Sequence, residues 1–106
     1  MCVFCDMDKI KSEVSETKTC YIFEPLNPAV KGHLLVVNKI HTKDFTDEPD
    51  VFAETARVAG WVANQLGGDF NLITSKGHNA TQTVFHCHIH LVPRKENDNL
   101  KLPWSL

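Results

Sequence analysis

No run of apolar residues in this 106-residue chain approaches the ~20 needed to cross a bilayer. Basic charge is not in excess either: 11 Lys and Arg stand against 13 Asp and Glu, for a net charge of −2. That balance excludes the basic footprint of a nucleic-acid binder and the polybasic anchor of a membrane-surface protein. Internal repeats and low-complexity stretches are absent. Cysteine is limited to four residues. The opening Met1-Cys2-Val3-Phe4-Cys5-Asp6 lacks the basic and long apolar regions of a secretory signal. The four cysteines are therefore expected as thiols or metal ligands in a cytoplasmic protein, not as a disulfide framework.

Apolar residues at 42% and charged residues at 23% are globular values, and the length suits one domain over residues 1–106. Residues 6–18 are polar without a sustained period and read as a short helix or loop. Cys20 to Glu24 reads as a strand stopped by Pro25, and Gly32 to Val37 as a second. Val51, Phe52, Thr55, Val58, Ala59, Val62, Ala63 and Leu66 recur at helical spacing, with Asp47 as the expected cap and Gly67-Gly68 as the stop. Phe70 to Ser75 reads as a further strand, and the last runs from Thr83 to Val92. The order points to an α+β fold: an antiparallel sheet of about five strands backed by one long helix, with a short N-terminal helix.

The six histidines are the compositional outlier, and three of them fall at His86, His88 and His90. A chance match to that spacing anywhere in the chain has odds of roughly 2%, so the pattern asks for an explanation. Alternation along a strand puts Phe85, Cys87, Ile89 and Leu91 on one face and the three imidazoles on the other. Two chemistries want such a row. It can hold a metal ion with further ligands from elsewhere. Alternatively, one neutral imidazole attacks an electrophile while its neighbours bind developing charge, which suits a phosphate ester. Thr81-Gln82-Thr83 adds hydroxyl and amide donors just upstream.

His86-Cys87-His88-Ile89-His90-Leu91-Val92 also falls within a wider set. That set comprises Cys2-Val3-Phe4-Cys5, Gly32-His33-Leu34-Leu35-Val36-Val37 with Asn38-Lys39-Ile40-His41, Gln82-Thr83-Val84-Phe85, Pro93-Arg94 and Pro103-Trp104. Together they resemble the histidine triad (HIT) family of nucleotide hydrolases and transferases, over nearly the whole chain.

The resemblance implies that His88 attacks the α-phosphorus of a nucleotide conjugate, giving a nucleotidyl–histidine intermediate that water resolves to the monophosphate. It implies that the carbonyl of His86 holds the Nδ1 proton of His88, that His90 contacts the phosphoryl group, and that His33 helps position the site. Gln82 and Thr83 are expected at the phosphate or leaving group, and Thr81, Ser75 and Leu26 among the nucleotide-binding positions. The chain departs from the family pattern at three of these surroundings. Pro25 stands where an acidic residue or Asn meets the ribose, Ser75 where Asn is usual, and Thr81 where Gly is usual. A homodimer acting on a small nucleotide substrate is also implied.

Cys2-x-x-Cys5 places two thiols where one tetrahedral ion can take both, with two further ligands required. The resemblance supplies them: some family members bind zinc at positions matching Cys2, Cys5, His41 and His86, which makes Zn²⁺ an expected structural ion with no part in the chemistry. Three readings follow: a nucleotide phosphohydrolase or nucleotidyl transferase using His88, a nucleotide-binding or interaction protein of the same fold with a drifted pocket, and a metalloenzyme with the triad as cradle.

Overall fold

Alternation in the extended segments builds the sheet. Its strands are β1 (Val14–Glu16), β2 (Cys20–Phe23), β3 (Leu34–Asn38), β4 (Asp69–Ile73) and β5 (His88–Arg94). All neighbours are antiparallel, in the order β1-β2-β3-β5-β4. The computed structural model describes residues 2–10 and 12–105. Helix α1 (Pro49–Leu66) connects β3 to β4 and lies across β3 and β5. None of the helices among the described residues is long and apolar enough to cross a membrane.

The two faces of the sheet are covered differently. On one, Cys20, Ile22, Val36, Ile89 and Leu91 pack with Val58, Ala59 and Val62 of α1. On the other, Phe23, Leu35 and Val37 pack with Phe4, and Cys2, Met7, Ile10, Val14 and Val84 close round them. That second cover comes from the chain's first residues, folded as two 3-10 turns at Val3–Cys5 and Met7–Lys9. They stand where a short helix was expected. Each turn has three residues, too few to hold without tertiary contacts.

Several expectations need correction. The last strand begins at His88, five residues later than the alternation suggests, and residues 83–87 bend instead of extending. The bend is pinned by Cys87 N–H, which donates to the Thr42 carbonyl at 2.7 Å and so diverts the backbone from the β4 and β3 ladders. Phe85 leaves the apolar row and is 45% exposed, while Cys87, Ile89 and Leu91 stay buried. Pro93 does not end β5. It pairs with Phe70 of β4 beyond the point where β3 has stopped at Leu34, so its missing N–H breaks no ladder. Asp47 does not cap α1: its carboxylate accepts the Lys43 N–H at 2.9 Å, and Glu48, in a left-handed conformation, precedes the helix. Residues 14–16 form the edge strand β1, which has too little apolar alternation to be read from sequence. Gly67 does end the helix, with φ of 72° and its N–H on the Ala63 carbonyl.

Candidate active site

Pairing of β3 with β5 sets His88 opposite Val37 and His90 opposite Leu35, on the face away from α1. Both rings line a cleft of about 690 Å³ whose other walls include Val3, Phe4, Phe23, Pro25, Leu26, Thr83 and Val84. His86 does not join them. Upstream of the strand, it turns its ring into the structure and is 1% exposed. The three imidazoles therefore form no common metal cradle.

Hydrogen-bond partners dictate the tautomer of each ring. His88 Nδ1 lies 2.8 Å from the carbonyl oxygen of His86, which can only accept, so Nδ1 carries the proton and Nε2 keeps its lone pair. Ala29 N–H donates to His33 Nδ1 at 2.9 Å, so the neutral His33 ring is protonated at Nε2. That Nε2–H then donates to His90 Nδ1 at 2.9 Å. His90 in turn must carry its proton on Nε2. The pair of cleft histidines thus presents one lone-pair nitrogen and one N–H donor, with ring centroids 5.1 Å apart.

Burial keeps these rings neutral. Desolvation lowers the pKa of His33 and of His88 below the ordinary imidazole range. His90 falls to about 4, from desolvation first and then from the positive charge His88 and His33 would carry. Phe4 stands edge-on to the His88 ring, with centroids 5.1 Å apart and planes at 82°.

Other residues expected at the site are placed as follows. Thr83 and Leu26 line the cleft. Gln82 is buried, but its amide is committed to backbone: Oε1 accepts the Gly77 N–H at 2.8 Å, and Nε2 donates to the carbonyls of Lys43 at 2.8 Å and Val84 at 3.1 Å. Thr81 is exposed and its hydroxyl donates to the Ala80 carbonyl. Ser75 is half-buried and, like Gln82 and Thr81, is not among the residues lining the cleft. Thr74, unremarkable in sequence, donates its hydroxyl to the His88 carbonyl at 2.7 Å and so fixes the start of β5. Only the β4–β5 pairing brings it there.

A second cluster lies behind the first. One ligand atom each from Cys2, Cys5, His41 and His86 falls within 4.8 Å of the others. His86 Nε2 lies 2.8 Å from the Asn38 carbonyl, which makes it the donor and leaves the Nδ1 lone pair facing Cys2 Sγ at 3.3 Å and Cys5 Sγ at 3.4 Å. His41 Nδ1 lies 3.0 Å from Cys5 Sγ. Two thiols and two imidazoles, one already oriented through its far nitrogen, are a donor set that fits zinc.

Sheet, helix and cleft define a protein of one class: an α+β fold that sets a neutral histidine in a cleft on the sheet face away from the helix. Residues 8–97 match the HIT domain family, and the chain belongs to it. It is 32% identical to the adenylylsulfatase HINT3 of Arabidopsis thaliana over 99% of its own length, although it spans only 58% of that protein. It is 35% identical to the adenosine 5′-monophosphoramidase HNT1 of Saccharomyces cerevisiae, covering 97% of this chain and 69% of that one. Among solved structures, a HIT family protein from Bacillus anthracis superposes with a TM-score of 0.84 at 32% identity, over 99% of this chain and 82% of that one. A Zn-bound histidine triad family protein from Mycobacterium smegmatis superposes with a TM-score of 0.84 at 34% identity, over 94% and 79%. The two curated relatives carry the names of hydrolytic enzymes, an adenylylsulfatase and an adenosine 5′-monophosphoramidase.

Proposed function

We propose that the chain cleaves the bond between the α-phosphorus of a nucleotide and its leaving group, in a nucleoside phosphoramidate or a dinucleoside polyphosphate, through a nucleotidyl intermediate on His88. The observation that carries this reading is the hydrogen bond from His88 Nδ1–H to the His86 carbonyl, because it leaves the Nε2 lone pair free to attack. In the first step Nε2 forms a bond to phosphorus while the bond to the leaving group breaks. The leaving group departs with that electron pair and takes a proton from solvent. In the second step a water oxygen attacks phosphorus and returns a proton to solvent, the P–Nε2 bond gives its pair back to the ring, and nucleoside monophosphate is released. The His90 Nε2–H donates to a phosphoryl oxygen as negative charge spreads in the transition state, and His33 fixes that donor. Thr83 offers a hydroxyl at the same wall, and Leu26 with Phe23 and Val3 gives the nucleoside an apolar seat.

The cluster of Cys2, Cys5, His41 and His86 would hold a zinc ion through two thiolates and two imidazoles. When bound, the ion supplies a structural crosslink and no chemistry. Thiol ligands suit a reducing, cytoplasmic setting. A homodimer is supported by β4, which among the described residues is an edge strand and exposes Leu72 and Ile73.

A second reading, a nucleotide-binding protein with little turnover, is favoured by one observation. The Gln82 amide and the Thr81 hydroxyl face loop backbone and not the cleft. Incubation with an adenosine phosphoramidate separates the two. Monophosphate release by the wild type and not by His88→Ala supports the hydrolase. Tight binding of the monophosphate with no release from the phosphoramidate supports the binding protein.

A further inference from the structure

Two residues link the metal cluster to the cleft, His86 and Phe4, and the link is directional. His86 offers its ring to the cluster through Nδ1 and its main-chain carbonyl to His88 Nδ1–H. Phe4 is bracketed by Cys2 and Cys5 in one 3-10 turn. Its ring meets His88 edge-on at 5.1 Å, Phe23 at 5.7 Å and His86 at 6.2 Å. It is also a wall of the cleft. Without an ion, the turn is tied to the sheet by apolar packing of Phe4 and Cys2 and by weak thiol–imidazole contacts. An ion bridging the cluster attaches both ends of the turn to His86 and His41, and the binding free energy becomes ordering free energy for the segment between them.

We propose that metal occupancy positions the nucleophile: the ion seats Phe4 against His88 and fixes the His86 carbonyl, so that Phe4 is a positioning residue for His88 and the cluster governs turnover without touching substrate. This rests on the reading of His88 as the nucleophile. The edge-on ring contact confines His88. The carbonyl fixes which nitrogen bears the proton. Losing either lets the ring rotate or exchange tautomers, so the lone pair at Nε2 is presented for only part of the time.

The test uses the full chain in three zinc-loaded forms, wild type, Phe4→Ala and Phe4→Leu, and the wild type stripped by a chelator. Each is measured by ¹⁵N NMR of the His88 ring, by affinity for adenosine monophosphate, and by kcat and KM on an adenosine phosphoramidate. The loaded wild type shows a single Nδ1–H tautomer at His88. Stripping shifts that signal toward tautomer averaging and weakens monophosphate binding. Phe4→Ala keeps its zinc yet reproduces the averaging and lowers kcat about tenfold, an effect on the scale of one aromatic pair. Phe4→Leu restores most of it by refilling the space.

A rise in KM with kcat and the His88 signal unchanged would make Phe4 a wall only, and overturns the proposal. So does a stripped protein whose His88 signal and monophosphate affinity match the loaded form. Should stripping unfold the chain, loaded Phe4→Ala decides alone, since all four ligands remain. Absence of turnover in the wild type would instead refute the reading of His88, and the ring signal and monophosphate affinity would still decide the coupling.

Discussion

His33 Nε2–H donates to His90 Nδ1 at 2.9 Å, and His33 can do so only because Ala29 N–H already occupies its other ring nitrogen. A backbone amide in the β2–β3 connection thereby determines where His90, on β5, carries its proton. Removing His33 leaves the His90 tautomer unspecified and costs the fold both ring hydrogen bonds of His33, the one from Ala29 N–H and the one to His90. His33→Ala should lower kcat about 10- to 100-fold, as loss of an orienting partner commonly does, and destabilise the fold by about 1–3 kcal/mol. Steady-state kinetics and urea denaturation check the two parts. An unchanged kcat would contradict the relay.

Acid should weaken the fold before it protonates the cleft. His90 titrates near 4 in the folded chain against about 6.5 for a free imidazole. Between those values the unfolded chain binds a proton that the native state refuses. Stability therefore falls as pH drops from 6.5, and this contribution is exhausted once pH is below 4. His33 and His88, also lowered by burial, add in the same direction. Urea midpoints measured from pH 7 to 4.5 should decline, and His90→Asn should flatten the decline. A flat wild-type profile would show that the rings are not held neutral by burial.

Thr81 has φ of 68°, the left-handed region that a β-branched side chain adopts only under strain. Relief of about 1–2 kcal/mol of left-handed strain, less about 0.5–1 kcal/mol for glycine's added freedom when unfolded, should make Thr81→Gly stabilising, reduced by loss of the bond from its hydroxyl to Ala80. The urea midpoint gives the sign directly, and a lowered midpoint would refute strain at this position.

Protein purified without added zinc should carry about one equivalent per chain if the four ligands close one tetrahedral site. Cys5→Ser should reduce that to well under half and lower the melting temperature, because Cys5 contacts both His41 and His86. Elemental analysis and a thermal scan check this. A full-length, folded wild type with no bound metal would contradict it.

The sequence made the helix-backed sheet and the β5 alternation legible because both rest on periodic burial: Ile89 and Leu91 go to the helix, while His88 and His90 go to the cleft. It misled where a single non-local hydrogen bond overrides periodicity. Cys87 on Thr42 bends residues 83–87, and that bend sends His86 to the thiols instead of leaving it in a row with His88. Gln82 reads as a phosphate donor from its place beside the triad, yet its amide is held by Gly77, Lys43 and Val84, contacts that depend on how the loop closes. Thr74 and Phe4 carry no local signal at all. Each gains its place only through strand pairing or through the turn that delivers it.

Trapping of the intermediate tests the central claim most directly. Wild-type chain mixed with an adenosine phosphoramidate, quenched in alkali within the first turnovers and digested, should give a peptide containing His88 heavier by one adenylyl group. The adduct should be lost on acid treatment and absent from His88→Ala. Steady release of monophosphate with no adduct on His88, or with the adduct on another residue, would contradict the account.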